Sequence, residues 1–489
     1  MNEKDYLELV DRVIANGPYS DTWESLSSYE VPAWFRNARF GIFIHWGVYS
    51  VPAYSNEWYP RDMYDKESHV FRHHVETYGE HKDFGYHDFI PLFKGEAFNP
   101  DEWAELIASS GARFAVSVAE HHDGFQMYRS NLSRWNSYEK GLHRDVIGEL
   151  FSSFRKHGII TGLSSHRAEH WFFMEHAREF DSGADCDNPE SIYYPSMCVD
   201  DIESYHTDPQ PDTAYLASWL ARLAEIVENY RPSLVYFDWW IEQEAFRPYL
   251  RKFLAYYYNR AYEWGIDSVV TYKHDAAAFG SAVIDIERGQ FPDVRPFPWQ
   301  TCTAMGRRSW GYIENNEYKD SEEILQNLAD IVSKNGSLLL NIGPKADGTI
   351  TAEETNVLRE VGSWLSKNGE AIYGSRPWRF FGEGCNGNFT GAFSDSKKPS
   401  FTEKDIRYTV RRDKLYAMVL KRSSNGQYVL WRLRKADPKK GTVFFGIVKK
   451  VECLEDGKEY PFFVDEDGLH ILGPSGNEPS PIVFRITLA

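Results

Sequence analysis

The sequence predicts an α/β protein: a (β/α)8-type barrel followed by a C-terminal antiparallel β-sandwich. Two observations predict the barrel. Eight short apolar runs alternate with helical stretches from about residue 38 to residue 375, and several of those stretches stop at a glycine or proline before the next run. A third observation predicts the sandwich, because after Gly374 apolar and polar residues alternate, with Gly and Asp at turns.

Local sequence signals predict the helices and strands of the barrel in chain order. Asn99-Pro100-Asp101-Glu102 is typical of a helix start, with a cap, an early proline and acids near the helix dipole. No GxGxxG motif follows the first run, so the dinucleotide-binding alternative lacks its signature. We assign residues 1–375 to the barrel with an N-terminal helical lead-in, and residues 376–489 to the sandwich. The predicted strands are FGIFIHWG, FAVSVAEHHDG, IITGLSSH, SLVYFDWW, SVVTYK, SAVIDIERG, WQTCT and SLLLNIGP.

Charge and cysteine content exclude several classes of partner. The net charge is −18, which disfavours nucleic acid and anionic membrane as partners. No run approaches the roughly 18 apolar residues of a membrane span, and the N-terminus has no apolar signal region. The five cysteines are odd in number and widely spaced, which favours a reducing compartment. We therefore expect a cytoplasmic protein, and the sequence leaves a homo-oligomer open.

Polar residues stand at the ends of six predicted strands. In a barrel the reacting groups lie where strands give way to the following loops, so this pattern predicts a site at that face. The residues are His45-Trp46, His121-His122-Asp123, His166-Arg167, Asp238, Lys273-His274 and Glu287-Arg288.

Strand alternation predicts which acids point into the barrel. Val235 and Phe237 suit the helix layer, so Asp238 faces the interior. The same reasoning turns Asp285 and Glu287 inward, with Glu287 nearer the open end. Two inward carboxylates among aromatic side chains are the pair that glycoside hydrolysis needs, a nucleophile and a general acid/base. The structural alternative is that each acid only pairs with a basic neighbour.

The histidines favour hydroxyl binding over metal binding. The adjacent His121 and His122 cannot both face one ion from a regular strand, and the sequence has no HxH or HExxH motif. We predict no metal and no cofactor, and keep a metal-dependent barrel hydrolase as an alternative. Taken singly, Trp46, Trp58 and Trp310 are more typical of a core than of a sugar-binding surface.

At these residues the sequence resembles glycoside hydrolase family 29, the retaining α-L-fucosidases. The similar segments occur in order between about residues 34 and 375, and the C-terminal part fits the family's accessory β-sandwich. They are WFRNARFGIFIHWGVYSVPAYSNEWY, HHDGF, VYFDWW, PWQTCTAMGRRSWGY and LLLNIGPKADGTI.

The resemblance implies an exo-acting enzyme that hydrolyses terminal α-L-fucose from fucosylated oligosaccharides. Asp238 corresponds to the nucleophile. Glu287 is aligned with the acid/base, and Asp285 is the alternative. Some members carry a Glu where this chain has Gln300, and an amide cannot donate a proton as an acid does. The predicted substrate-binding residues are His45, Glu57, Trp58, His121, His122, Tyr236 and Trp310.

Two departures from the family pattern affect the predicted site. Glu120 stands where many members have Lys before the histidine pair. The third strand ends in LSSHRAEHW rather than in a tyrosine, so His166 or Trp171 is predicted to take that place. The segment 167–211 is expected to contact the leaving group. A non-catalytic glycan-binding protein remains an alternative, and neither linkage nor the balance of hydrolysis and transglycosylation follows from the sequence.

Overall fold

The computed structural model describes residues 1–180, 183–384, 391–395, 400–437, 439, 444–476 and 481–489. The strands of the first part are β1 (Phe40–Ile44), β2 (Phe114–Glu120), β3 (Ile160–Ser165), β4 (Leu234–Phe237), β5 (Val269–Tyr272), β6 (Val283–Glu287), β7 (Trp299–Ala304) and β8 (Gly336–Ile342). The helices are α1 (Glu3–Asn16), α2 (Trp23–Leu26), α3 (Ala33–Ala38), α4 (Tyr59–Asp62), α5 (His69–Tyr78), α6 (Pro100–Ser109), α7 (Val146–Lys156), α8 (His170–Phe173), α9 (Thr213–Tyr230), α10 (Arg247–Trp264), α11 (Ser321–Ser333) and α12 (Ala352–Asn368).

Strands β1 to β8 form a closed parallel barrel in chain order. The last strand pairs with the first, from Phe40 opposite Leu338 to Ile44 opposite Ile342. All eight predicted runs supply one strand each, so the predicted barrel is confirmed. The start of α6 follows the predicted signal, because the side chain of Asn99 accepts a hydrogen bond from the N–H of Asp101.

Side chains of the barrel strands alternate as predicted. Val235 and Phe237 pack in the core between barrel and helices, whereas Tyr236 lies in the interior cluster. Ile284 and Ile286 pack toward the helix layer, which turns Asp285 and Glu287 the other way.

The C-terminal part forms two antiparallel sheets around one shared core, which confirms the predicted sandwich. The strands are β9 (Arg376–Glu383), β10 (Ile406–Arg411), β11 (Lys414–Val419), β12 (Gln427–Leu430), β13 (Val448–Cys453), β14 (Phe462–Val464), β15 (Leu469–Leu472) and β16 (Ile482–Leu488). The five-stranded sheet has the order β13-β16-β11-β10-β9 and the three-stranded sheet the order β12-β15-β14. The domain boundary placed at residues 375/376 falls between α12 and β9 and stays a prediction.

Within the described ranges, no helix has the length and apolar character needed to cross a bilayer. Cys186, Cys198, Cys302 and Cys453 are free thiols. Cys385 lies outside the described residues.

Candidate active site

A cavity of about 310 Å³ opens where the barrel strands end. Ten of the eleven residues predicted for the site line it, and Trp171 does not. The cavity therefore lies at the carboxyl-terminal face of the barrel, where active sites of this fold are found. The ten are His45, Glu57, Trp58, His121, His122, His166, Tyr236, Asp238, Glu287 and Trp310.

Asp238 follows β4 directly and is 9% exposed. Its Oδ2 accepts a hydrogen bond from Nδ1 of His166 at 2.7 Å. Its Oδ1 accepts from Nζ of Lys273 at 2.5 Å and from the backbone N–H of Trp239 at 2.8 Å. Burial alone would raise the pKa of Asp238, but Lys273 and His166 outweigh burial and hold that pKa well below its usual range. The carboxylate is therefore ionised and fixed in orientation, as a nucleophile requires.

Lys273 brings the two predicted catalytic acids together. It follows β5 directly, is buried, and its Nζ also donates to Oε2 of Glu287 at the end of β6. Burial would lower the pKa of Lys273, whereas Asp238 and Glu287 raise it well above its ordinary value. The lysine is thus a fixed cation in hydrogen-bond contact with both carboxylates.

Left-handed backbone turns at non-glycine residues follow all three of these side chains. The φ angle is 74° at Trp240, 54° at His274 and 48° at Arg288. Such conformations cost free energy and persist where the surrounding structure requires them, commonly at functional sites. Each of these three residues follows a barrel strand and lies one or two positions after Asp238, Lys273 or Glu287, which line the cavity.

Four histidines form one side of the cavity. The rings of His121 and His166 are 4.8 Å apart, and those of His45 and His121 are 5.5 Å apart. Burial is the main cause that lowers the pKa of all four, including His122. A neutral imidazole offers one donor and one acceptor, which suits sugar hydroxyl groups.

Asn341 on β8 joins the end of β1 to the loop between β7 and α11. Its Oδ1 accepts from Nδ1 of His45 at 2.6 Å, which leaves Nε2 of His45 as an acceptor. Its Nδ2 donates to the carbonyl of Trp310 at 2.6 Å. The N–H of Trp310 and the hydroxyl of Ser309 donate to Oε2 of Glu57 at 2.8 and 2.9 Å. Trp310 and Glu57 are therefore held together at the edge of the cavity.

Asp285, the alternative acid/base, lies deeper in the barrel and does not line the cavity. It is 2% exposed and accepts hydrogen bonds from Nε2 of Gln300 at 2.8 Å and from the hydroxyl of Tyr236 at 3.3 Å. Burial raises the pKa of Asp285. Of the two acids on β6, only Glu287 reaches the cavity.

Trp171 is the one predicted site residue that the fold turns away. It lies on the short helix α8, where its ring packs against Tyr215 at 5.0 Å and its Nε1 donates to the carbonyl of Pro209 at 3.0 Å. The predicted contact of Trp171 with substrate is therefore not supported. His166, which bonds Asp238, occupies the end of the third strand instead.

Glu120 has a structural role. It is buried at the end of β2 and accepts hydrogen bonds from Nη1 of Arg167 and Nη1 of Arg222, both at 2.7 Å. Burial would raise the pKa of Glu120, and the two arginines together lower it. Glu120, which departs from the family pattern, is therefore part of an ion-pair cluster beside the site.

Two groups among the described residues could hold a metal ion. They are His45, His121 and His166, and His122, His166 and Asp238, with ligand atoms within 4.8 Å of one another in each group. Neither group contains both adjacent histidines, as expected for neighbours on a strand. Both ring nitrogens of His166 already have partners, a serine hydroxyl and Asp238. The absence of a metal cofactor stays a prediction.

Sequence reasoning missed several residues of the cavity. The position of Lys273 and His274 at the end of a predicted strand already indicated that they could reach the site. Glu203 comes from the segment 167–211, which was expected to contact the leaving group. Phe393 carried no such signal, because it lies more than 100 residues after Glu287 in the chain, outside the predicted barrel. The additional lining residues are Phe43, Glu203, Trp239, Lys273, His274 and Phe393.

Known proteins share both the sequence pattern and the fold. The family described as Alpha-L-fucosidase matches residues 7–370. An alpha-L-fucosidase of Branchiostoma floridae is 32% identical over 429 residues, covering 84% of this chain and 84% of that protein. Human plasma alpha-L-fucosidase is 31% identical over 433 residues, covering 84% and 81%. The crystal structure of Thermotoga maritima alpha-fucosidase is 28% identical, with a TM-score of 0.75 over 96% of this chain and 100% of that one.

Proposed function

The chain belongs to the α-L-fucosidase family of glycoside hydrolases, and we propose that it releases terminal α-L-fucose from fucosylated glycans by retaining double displacement. The observation that carries the mechanism is the shared contact of Asp238 and Glu287 with Nζ of Lys273. Two hydrogen bonds to one nitrogen hold the two oxygens within about 6 Å of each other. This supports the spacing of retaining enzymes, about 5–5.5 Å, over the roughly 6.5–9.5 Å of inverting enzymes.

In the first step Asp238 attacks the anomeric carbon while Glu287, in its protonated form, donates its proton to the departing oxygen. No described residue donates a hydrogen bond to Oε1 of Glu287, so this oxygen is available to the leaving group. In the second step Glu287 takes a proton from water, which attacks the fucosyl-enzyme ester and frees Asp238. The cation of Lys273 supports this route because it stabilises Asp238 as an anion before attack and after release.

The polar and aromatic walls of the cavity support fucose as the bound sugar. Neutral imidazoles and the carboxylate of Glu57 suit the ring hydroxyls, and the faces of Phe43, Trp58 and Trp310 offer apolar surface to the C6 methyl group. The Thermotoga maritima enzyme, 27% identical, has been solved in complex with fucose. Another of its structures, a fucosynthase variant, contains an α-1,2-linked fucosyl disaccharide.

Replacing the proposed nucleophile tests the mechanism directly. We expect Asp238→Gly to reduce hydrolysis of an aryl α-L-fucoside by at least about 10⁴-fold. Azide should restore turnover by entering the vacated space and should give a fucosyl azide of inverted configuration. With the unmodified protein, NMR of the first-formed product should show α-L-fucose. A β-anomer as first product would rule out retention.

The same assays separate the alternatives. A metal-dependent hydrolase would lose activity with a chelator and regain it with zinc, whereas the proposed mechanism predicts full activity in EDTA. A non-catalytic glycan-binding protein would bind fucose without releasing it from any aryl fucoside. As part of the proposal the protein is cytoplasmic, which is supported by the free thiols of the four cysteines in the described part of the chain.

A further inference from the structure

A segment of the C-terminal part lies across the end of β6. It comprises residues 391–395, in the connection between β9 and β10. The N–H of Phe393 donates to the carbonyl of Glu287 at 2.9 Å, and that of Ser394 donates to the carbonyl of Arg288 at 2.8 Å. The N–H of Gly391 donates to the carbonyl of Gln290 at 3.0 Å. The segment is therefore bonded to the backbone of the proposed acid/base residue itself.

Buried charges fix this segment in place. Asp395 is 5% exposed and accepts from Nε of Arg288 at 3.0 Å, from Lys319 and from the hydroxyl of Thr303. Burial would raise the pKa of Asp395, but the two cations outweigh burial and lower it. Arg288 directly follows β6, Thr303 lies on β7 and Lys319 lies in the loop before α11, so one aspartate joins the segment to three parts of the barrel.

The two backbones approach so closely that the chain just after β6 needs a glycine, Gly289. A Cβ atom on Gly289 would lie 1.6 Å from the carbonyl oxygen of Gly391. No side chain fits into that distance, so the segment can pack here only because residue 289 is a glycine.

The segment presents one aromatic side chain at the mouth of the cavity. Phe393 is 64% exposed and has a φ of 53°, an unfavourable conformation for a bulky residue. It lines the active-site cavity together with Glu287 and Trp310. With Trp310 it also lines a neighbouring cavity of about 310 Å³, which Arg288, Arg307 and Arg308 line as well.

We propose that Phe393 packs against the sugar to which fucose is attached, and so forms the leaving-group subsite of this enzyme. The inference rests on the proposed function. Glu287 protonates the oxygen between the two sugars. Phe393 is hydrogen-bonded to the backbone of Glu287, so its phenyl ring lies on the leaving-group side of the cleaved bond. An exposed aromatic face is suited to the apolar face of a pyranose, and the neighbouring cavity offers polar donors to its hydroxyl groups.

Two substrates separate this contact from the chemistry at fucose. α-L-Fucosyl fluoride has no sugar as its leaving group, whereas an α-L-fucosyl disaccharide does. The disaccharide is chosen as the one cleaved fastest among 1,2-, 1,3-, 1,4- and 1,6-linked compounds. We expect Phe393→Ala to lower kcat/KM for the disaccharide about fivefold to tenfold more than for the fluoride, mainly through KM. Phe393→Trp should retain the disaccharide preference.

Phe463→Ala is the matched control, because Phe463 is also exposed but lies on β14 and stacks on His470. It should change neither rate. Gly289→Ala removes the docking of the segment and should reproduce the selective loss. Equal effects of Phe393→Ala on both substrates, or none on either, would overturn the inference. Failure of the unmodified protein to cleave fucosyl fluoride would instead overturn the proposed function.

Discussion

At the scale of single residues, Lys273 governs the charge of the site. A carboxylate at the end of a buried strand is costly unless an opposite charge or hydrogen bonds stabilise it. Asp238 has a lysine, a histidine and a backbone N–H as partners, and the lysine also holds Glu287. Removal of this cation would leave two carboxylates in a buried site with no common partner.

Lys273→Met should therefore shift the pH dependence of catalysis. Without the cation, burial raises the pKa of Asp238, so the acid limb of kcat/KM moves to higher pH, and the maximal rate falls about 10²-fold. The measurement is the pH profile with α-L-fucosyl fluoride, whose departure needs no proton from Glu287. Lys273→Arg keeps the charge and should keep the acid limb near its original position. An unshifted limb in Lys273→Met would contradict the role assigned to the lysine.

At the scale of elements, the site is assembled from strand ends and from loops held against one another. The end of β8 touches the loop before α11 so closely that a Cβ on Gly343 would lie 2.8 Å from backbone atoms of Gly311 and Tyr312. The same contact aligns Asn341 with the carbonyl of Trp310. The position of Trp310 thus depends on a backbone contact as well as on its own packing.

Gly343→Ala should impair substrate binding more than folding. The loop has to move away from the new methyl group, which breaks the hydrogen bonds that join Trp310 to Asn341 and Glu57. We expect kcat/KM for an aryl α-L-fucoside to fall about 10- to 100-fold, since displacements of about 1 Å have effects of that size. Steady-state kinetics measures the loss, and circular dichroism checks the fold. Normal kinetics in a folded variant would show that this contact does not position the site.

At the scale of the whole molecule, the sandwich packs on the barrel through buried polar contacts as well as apolar ones. Asp330 on α11 accepts hydrogen bonds from Nζ of Lys334 at 2.9 Å and from Nε of Arg407 on β10. Nε2 of Gln326 on the same helix donates to the carbonyl of Leu420 at 2.8 Å. Burial would raise the pKa of Asp330, but Arg407 and Lys334 outweigh it and lower that pKa. The ion pair therefore stabilises the fold above the unfolded-state pKa of an aspartate, about 3.9, and this stabilisation is lost as the pH falls through the lower folded value.

Arg407→Met should destabilise the protein strongly. It takes one partner from a buried acid, a change that typically costs about 3–5 kcal/mol. Urea unfolding at neutral pH measures the loss. Lys252→Met is the control, because Lys252 pairs with Asp11 at the surface and such pairs contribute about 0–1 kcal/mol. A similar small effect of both substitutions would contradict a structural role for the buried pair.

Much of the barrel and the sandwich could be predicted because their signals are local. The alternation of Tyr236 with Val235 and Phe237, and the residues that end each helix, depend on neighbours along the chain. For the same reason the inward direction of Asp238 and Glu287 was predictable. Trp171 was not, because a short turn after β3 decides on which side of α8 its ring lies, and contact with Tyr215 holds it there.

The sequence by itself therefore determined the order of the strands, the face that carries the chemistry and the two acids that reach it. Only the tertiary structure decided that one lysine lies between those acids and that Phe393, from the C-terminal part, lines the mouth of the cavity. The physical reason is that periodicity and helix signals act over a few neighbouring residues. A hydrogen bond such as that from Phe393 to Glu287 exists only when the barrel and the C-terminal part have packed together.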